Sequence, residues 1–240
     1  MESHTKLVSF KKVYKKLVSK KKVLVTYEGF MYNLGVLGAL FEHIFHTQEH
    51  LIKKATRVIL DTSFLVAKQN HCLRPKDKPR IAVRPGKLVC GYKILLLCDE
   101  KRRILFADIV SIKSHDSTFF EECSGFLSKH NFLGVTLADK GFSSEKNRKI
   151  ARTNGQKLIC PYKKNQQKQL SQKDRKMYRK IRYKIEDIFK VLKDIQEKPR
   201  LIIKNQRRIS IIRAKLFLAC LIYNKEYSGF FALFFYSCYT

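Results

Sequence analysis

Five short apolar runs, separated by helical patterns, constrain the fold more than any other feature of the sequence. "RVILDTSFLVA" (57–67) is rich in β-branched and apolar residues and reads as a buried strand. "GYKILLLCDEKRRILFADIVSI" (91–112) reads as a hairpin, two apolar strands around the polar turn Asp99-Glu100-Lys101-Arg102. "FLGVTLAD" (132–139) and "KLICPY" (157–162) supply a fourth and a fifth strand. Between them, Asp116 is expected to cap a helix running to about His130, and a second helix runs from Ser144 to Thr153 with Gly155 as its stop signal. A long helix is expected over about 177–197, closed by Pro199, and an apolar one over about 208–225. Residues 68–90, basic and holding Pro75, Pro79 and Pro85, read as a loop. Three neighbouring strands followed by α/β crossovers predict a mixed five-stranded sheet with helices on both faces, an α/β fold.

Two of these runs carry a carboxylate. Asp61 sits in the middle of the first strand and Asp139 ends the fourth. A buried strand tolerates a carboxylate only if it is paired or bound to a cation, although Asp139-Lys140-Gly141 also fits a turn. Ligands of open α/β sheets gather near the carboxyl ends of strands. The long helix suggests a third acid. Met177, Ile181, Ile185, Ile188, Leu192 and Ile195 form a seam spaced by three and four, and Tyr178, Arg182, Glu186 and Lys193 run beside it. Glu186 is thereby expected at the rim of the buried surface, within reach of the sheet, where Arg182 and Lys193 can hold phosphates. Three carboxylates can hold two hard divalent cations, Mg²⁺ or Mn²⁺. Two such ions about 3.5–4 Å apart stabilise both the attacking and the leaving oxygen of a phosphodiester reaction.

The charge balance points to the partner. Among 240 residues, 50 Lys and Arg face 20 Asp and Glu, a formal charge of +30. So basic a surface repels itself unless something anionic covers it, and nucleic acid leads over an anionic membrane surface. Residues 5–24 form a basic amphipathic helical pattern, in which Lys11, Lys12, Lys15 and Lys16 are read as phosphate contacts or, more blandly, as a solvated face. His43, His46 and His50 fall on one face of a helical stretch over 30–55. Without a nearby cysteine they read as a polar stripe, not a metal site. Seven cysteines without CxxC spacing read as reduced, mostly buried thiols of a cytoplasmic protein. No secretory signal and no membrane span is read from the sequence.

On these motifs the chain resembles the DDE transposases of bacterial insertion sequences. The resemblance covers roughly residues 57–225 and rests on "VILDTSFL", "GYKILLLCDEKRRIL", "LADKGF" and "RYKIEDIFKVLK". It implies a ribonuclease H-like core in which Asp61, Asp139 and Glu186 are the catalytic, metal-binding acids. Seventy-seven residues lie between the two aspartates and 46 between Asp139 and Glu186. The family's helix motif, Tyr-(2)-Arg-(3)-Glu-(6)-Lys, is matched by Arg182, Glu186 and Lys193. Tyr178 departs from it, with three residues before Arg182 in place of two. The implied activity is metal-dependent cleavage of double-stranded DNA at element ends and strand transfer into target DNA, by a protein associated with the nucleoid and acting as a homodimer on DNA. The alternative is a non-catalytic DNA-binding remnant. The expected organisation is a short basic helical N-terminal region (1–56) that contacts DNA, a catalytic domain (57–228) and an apolar tail (229–240). So short an N-terminal region suggests a truncated or decayed copy.

Overall fold

The computed structural model describes residues 29, 33, 36–46, 49–66, 81–84, 87–163, 168–195 and 206–224, with side chains omitted for a few of them. The expected N-terminal helix with its four lysines, and the apolar tail, lie outside the described residues. Six strands form one sheet: β1 (Arg57–Val66), β2 (Ile81–Arg84), β3 (Lys87–Asp99), β4 (Ile104–Ser111), β5 (Val135–Ala138) and β6 (Lys157–Ile159). The central strand β1 pairs antiparallel with β3 and parallel with β5; β3 pairs antiparallel with β4, and β5 parallel with β6. Without β2, the spatial order is β4-β3-β1-β5-β6, a mixed sheet of five strands as the sequence predicts.

The helices are α1 (Gly38–His46), α2 (Glu49–Lys53), α3 (Phe120–Lys129), α4 (Glu145–Thr153), α5 (Gln172–Ile181), α6 (Lys184–Ile195) and α7 (Gln206–Tyr223). They cover both faces of the sheet, which explains why the strands read as nearly continuous apolar runs. Side-chain alternation sorts the core into two clusters. Ile59, Ile94, Leu96, Cys98 and Leu137 pack with α1, α6 and α7. Val58, Leu60, Leu95, Leu97 and Ala138 pack with α2, α3 and α4. Consecutive buried residues from Leu216 to Leu221 show α7 enclosed on most sides. A Cβ added at Gly38 would lie 3.1 Å from the Ala214 Cβ, so glycine lets α1 approach α7 closely. At its end, Asn224 accepts from the Ile104 N–H through Oδ1 and donates to the Ile104 carbonyl through Nδ2, both at 2.8 Å, as a neighbouring strand would.

Several expectations need correction. The segment read as a loop over 68–90 contains β2 and the start of β3, which pair from Ile81–Cys90 to Arg84–Lys87. Asp116 caps no helix; it opens a 3₁₀ turn (Asp116–Phe119) that leads into α3. The single long helix is two helices. Between them, Ile185 N–H bonds to Arg182 O and Glu186 N–H to Tyr183 O, tight three-residue spacings that interrupt the helical ladder at Arg182-Tyr183. The buried seam survives the break, since Ile181, Ile185, Ile188 and Leu192 are all buried. Two of the three histidines do not share a polar stripe: His43 is exposed, whereas His46 lies among Phe45, Phe106, Phe126 and Phe217; the side chain of His50 lies outside the described part. The four cysteines whose side chains are described, Cys98, Cys123, Cys160 and Cys220, are buried and free, as expected.

Candidate functional site

Strand register places the two aspartates side by side. Leu60 pairs with Ala138 in the parallel β1–β5 ladder, so Asp61 and Asp139 each follow the last pair of that ladder. By alternation they point to the face of Ile59 and Leu137, the side on which α5 and α6 lie. Asp61 is 9% exposed. Its Oδ1 accepts from the Thr62 N–H at 2.8 Å, and its Oδ2 from Arg182 Nη2 at 2.9 Å. Asp139, half-buried, precedes a 3₁₀ turn over Lys140–Phe142, and no side-chain bond caps that turn. Its backbone carbonyl accepts from Phe142 N–H and from Cys160 Sγ, both at 2.9 Å, which fixes the chain where β5 ends.

The third acid arrives differently from the expectation. Glu186 is in the first turn of α6 and exposed; its carboxylate meets not the sheet but Arg182 Nη1. Arg182 thus bridges Asp61 and Glu186 with its two terminal nitrogens. Its Nε is buried with no hydrogen-bond partner. Tyr178, one turn earlier, directs its hydroxyl to Asp139 Oδ1 at 3.5 Å. The residue that departs from the family spacing therefore still faces the second aspartate. Lys193 lies in the last turn of α6, and its side chain is outside the described part of the molecule.

Electrostatics separates these groups. Burial pushes the Asp61 carboxyl up to about 6; Arg182 and the Thr62 N–H oppose the rise, and the charges of Asp139 and Asp116 add to it. Burial also raises the Tyr178 hydroxyl above its ordinary value, with Asp139 adding to the effect. Burial acts against the charge of Arg182, but Asp61 first, then Tyr178, Asp139 and Glu186, more than restore it, and its pKa lies above the usual arginine value.

Asp116 is the residue that sequence reasoning misplaced. Its Oδ1 accepts from Thr62 Oγ1 at 2.9 Å and from Lys93 Nζ at 2.8 Å. Lys93 is buried in β3 and also donates to the Ser114 carbonyl at 2.9 Å. Asp116 Oδ2 packs against Gly141, where an added Cβ would come within 2.8 Å of it. One carboxylate therefore ties the residue after Asp61 to the turn after Asp139, from the opposite face of the sheet. The only signal in the sequence was an isolated Lys93 in an apolar strand, which a buried cation needs an acid to satisfy.

The donor set is all oxygen, which suits a hard divalent cation, and Asp61, raised chiefly by burial, is a carboxylate whose charged form a cation would favour. The present arrangement directs Asp61 and Glu186 to Arg182. No group of three or more His, Cys, Asp or Glu among the described residues is placed to hold a metal ion.

No curated protein matches the sequence. Among solved structures, the chain is similar to a piggyBac transposase in a synaptic complex with hairpin DNA, with 11% identity over 77% of this chain and 52% of that one and a TM-score of 0.48. It is also similar to a Mos1 transposase in a pre-cleavage transpososome, with 12% identity over 92% of this chain and 72% of that one and a TM-score of 0.30. The chain spans about half, 52%, of the length of the piggyBac chain. The family model described as "Transposase DDE domain" matches residues 52–225, most of the sequence and every strand and helix from β1 to α7. The chain belongs to the transposase DDE domain family.

Proposed function

We propose that this protein is a transposase that cleaves double-stranded DNA at element ends and joins the freed ends to target DNA, with Asp61, Asp139 and Glu186 as its catalytic acids. The observation that carries the reading is the adjacent placement of Asp61 and Asp139 on one face of the sheet, with Arg182 linking Asp61 to Glu186. Asp61 and Asp139 would hold a divalent ion, Mg²⁺ or Mn²⁺, and Glu186 would complete a two-ion site once Arg182 turns from the acids to a DNA phosphate. Such ions, when bound, supply the positive charge that activates an attacking oxygen and stabilises a leaving one. Arg182 orients the acids in the free protein, and its planar guanidinium suits a phosphate when DNA arrives. Tyr178 keeps a neutral hydroxyl beside Asp139, able to donate to a phosphate oxygen. Lys193, with Lys11, Lys12, Lys15 and Lys16, would add backbone contacts that position the duplex without reading sequence. The protein would act as a homodimer, one copy at each element end, in association with the bacterial nucleoid.

The test is cleavage of a labelled duplex carrying an element end in Mg²⁺ or Mn²⁺, with DNA binding measured on the same protein. Asp139→Asn keeps the shape and removes the charge. Cleavage is expected to fall by orders of magnitude, because an ion neutralising developing charge contributes several kcal/mol to the transition state. Binding is expected to change little. Equal cleavage by both proteins would reduce Asp139 to a turn residue. A second reading, a non-catalytic DNA-binding remnant, is favoured by the engagement of both Asp61 and Glu186 with Arg182. Normal binding without any cleavage by the unaltered protein would establish it.

A further inference from the structure

The basic residues of this molecule are not all alike. On α4, Lys146 pairs with Glu121 at 2.8 Å and Arg152 with Glu145 at 2.7 Å. On α6, Lys190 pairs with Asp187 at 3.5 Å, and Asp187 also meets Arg102 from the β3–β4 turn at 3.0 Å. Helix α5 is different. Its inner side is formed by Met177, Tyr178 and Ile181, and by Asp174, which is taken by Lys157 Nζ at 2.7 Å. Its outer side carries Lys173, Lys176, Arg179 and Lys180, all exposed, and none of the four forms an ion pair among the described residues. Arg175, also exposed, meets only the neutral amide of Gln169 at 2.9 Å. The single acid of this helix is taken by Lys157, so five cations stand together on a face where none of them forms an ion pair among the described residues.

We infer that the outer face of α5 is a docking surface for the phosphate backbone of duplex DNA, which it guides toward Asp61 and Asp139. Charge complementarity selects the occupant, and the continuity of α5 with the site gives the surface its direction. The helix spans 10 residues. At 1.5 Å per residue it is about 15 Å long. One strand of a duplex presents about four phosphates over that length, at about 3.4 Å of axial rise each. Three residues past Arg179 the chain reaches Arg182, whose guanidinium already touches Asp61. A backbone laid along α5 therefore runs toward the helix break that carries Arg182, the residue linked to Asp61. The same helix whose inner side meets Asp139 through Tyr178 would hold the substrate with its outer side.

This surface rests on the transposase reading for its purpose but not for its test. The full chain carrying Lys173→Gln, Lys176→Gln, Arg179→Gln and Lys180→Gln is compared with the unaltered protein for binding to a labelled duplex of about 30 base pairs, with salt varied from about 50 to 200 mM. A control carries Lys129→Gln, Lys146→Gln, Lys149→Gln and Arg152→Gln, an equal loss of charge on α3 and α4 across the sheet. Each neutralised phosphate contributes about 0.9 to the slope of log affinity against log salt, so the α5 variant is expected to lose about 3–4 from that slope. The control is expected to stay near the unaltered value, and matching thermal melts show that both variants fold. A single Lys176→Glu change is expected to act in the same direction by about one contact. Equal slopes in all proteins, or equal losses in the α5 variant and the control, would overturn the inference. So would preferential binding to anionic phospholipid vesicles over duplex. Loss of slope in a protein that never cleaves DNA would leave the surface standing and sink the catalytic reading. Normal cleavage with an unchanged slope would do the reverse.

Discussion

Two aspartates of the β1–β3 ladder, Asp99 at its end and Asp61 within it, each bind an arginine, and they do so in opposite ways. Asp99, opposite Val58, is 1% exposed. Its Oδ1 accepts from the N–H groups of Lys101 and Arg103 at 2.9 and 2.8 Å, and its Oδ2 accepts from Arg103 Nε at 2.6 Å. All its partners lie within four residues in one hairpin turn, so the charge is satisfied by the local chain. Asp61, opposite Leu96, has one local bond, to Thr62 N–H, and one arginine 121 residues away. Burial pushes its carboxyl up to about 6 despite that arginine. A carboxylate that serves the fold is closed by its neighbours. One whose only strong partner comes from a distant helix break remains open to a cation.

The largest effect on stability is expected at the closed site. Asp99→Ala leaves Arg103 partly buried and unpaired, which costs about 3–5 kcal/mol. Chemical unfolding should register the loss, and a change below about 1 kcal/mol would remove the contrast between the two aspartates. The open site should behave in the opposite sense. Because the folded-state pKa of Asp61 is raised, from 3.8 to about 6, the unfolded chain binds fewer protons than the folded one between those values. Stability therefore falls as pH rises from about 4 to about 6, by about 3 kcal/mol in total, in metal-free buffer. Asp61→Asn should remove that dependence and leave the protein at least as stable at pH 7; urea midpoints across this range measure both. The smallest effect is expected at Thr62→Val, which removes one hydrogen bond to Asp116 while Lys93 keeps the carboxylate paired. About 1 kcal/mol of stability should be lost. If cleavage falls far more than stability does, the link from Asp116 to Asp61 positions the acid as well as holding the strand.

Asp61 and Asp139 were legible because each interrupts an apolar run, and register alone then sets them side by side. The helical seam set Glu186 at the rim of the buried face but gave no sign that it would meet Arg182 in place of the sheet, since a straight helix gives no cause for Arg182 to turn toward β1. The break at Arg182-Tyr183 contains no Gly or Pro, the usual punctuation, and tertiary contacts decide it. Asp116 was hidden by a local reading. An aspartate before a helix looks like a cap, and its bonds to Lys93 and Thr62 span 23 and 54 residues. β2 was hidden by its setting in a basic, proline-containing segment, where pairing with β3 overrides a weak strand pattern. The lack of ion pairs on the outer face of α5 could not be seen either, because which lysines have acidic neighbours depends on the fold.

The clamp that Asn224 places on Ile104 joins residues 120 positions apart. β4 and the sheet face over which α7 lies are thus made long before the helix that covers them. At about 5–20 residues per second of synthesis, the delay is about ten seconds. Through that interval Ile104, Ala107 and Ile109 have no α7 to pack against, although the β3–β4 hairpin can already form. Newly made chains should therefore pass through a sticky, half-covered sheet. The yield of native protein in a cell should depend on chaperone capacity and on growth temperature more strongly than its final stability would suggest.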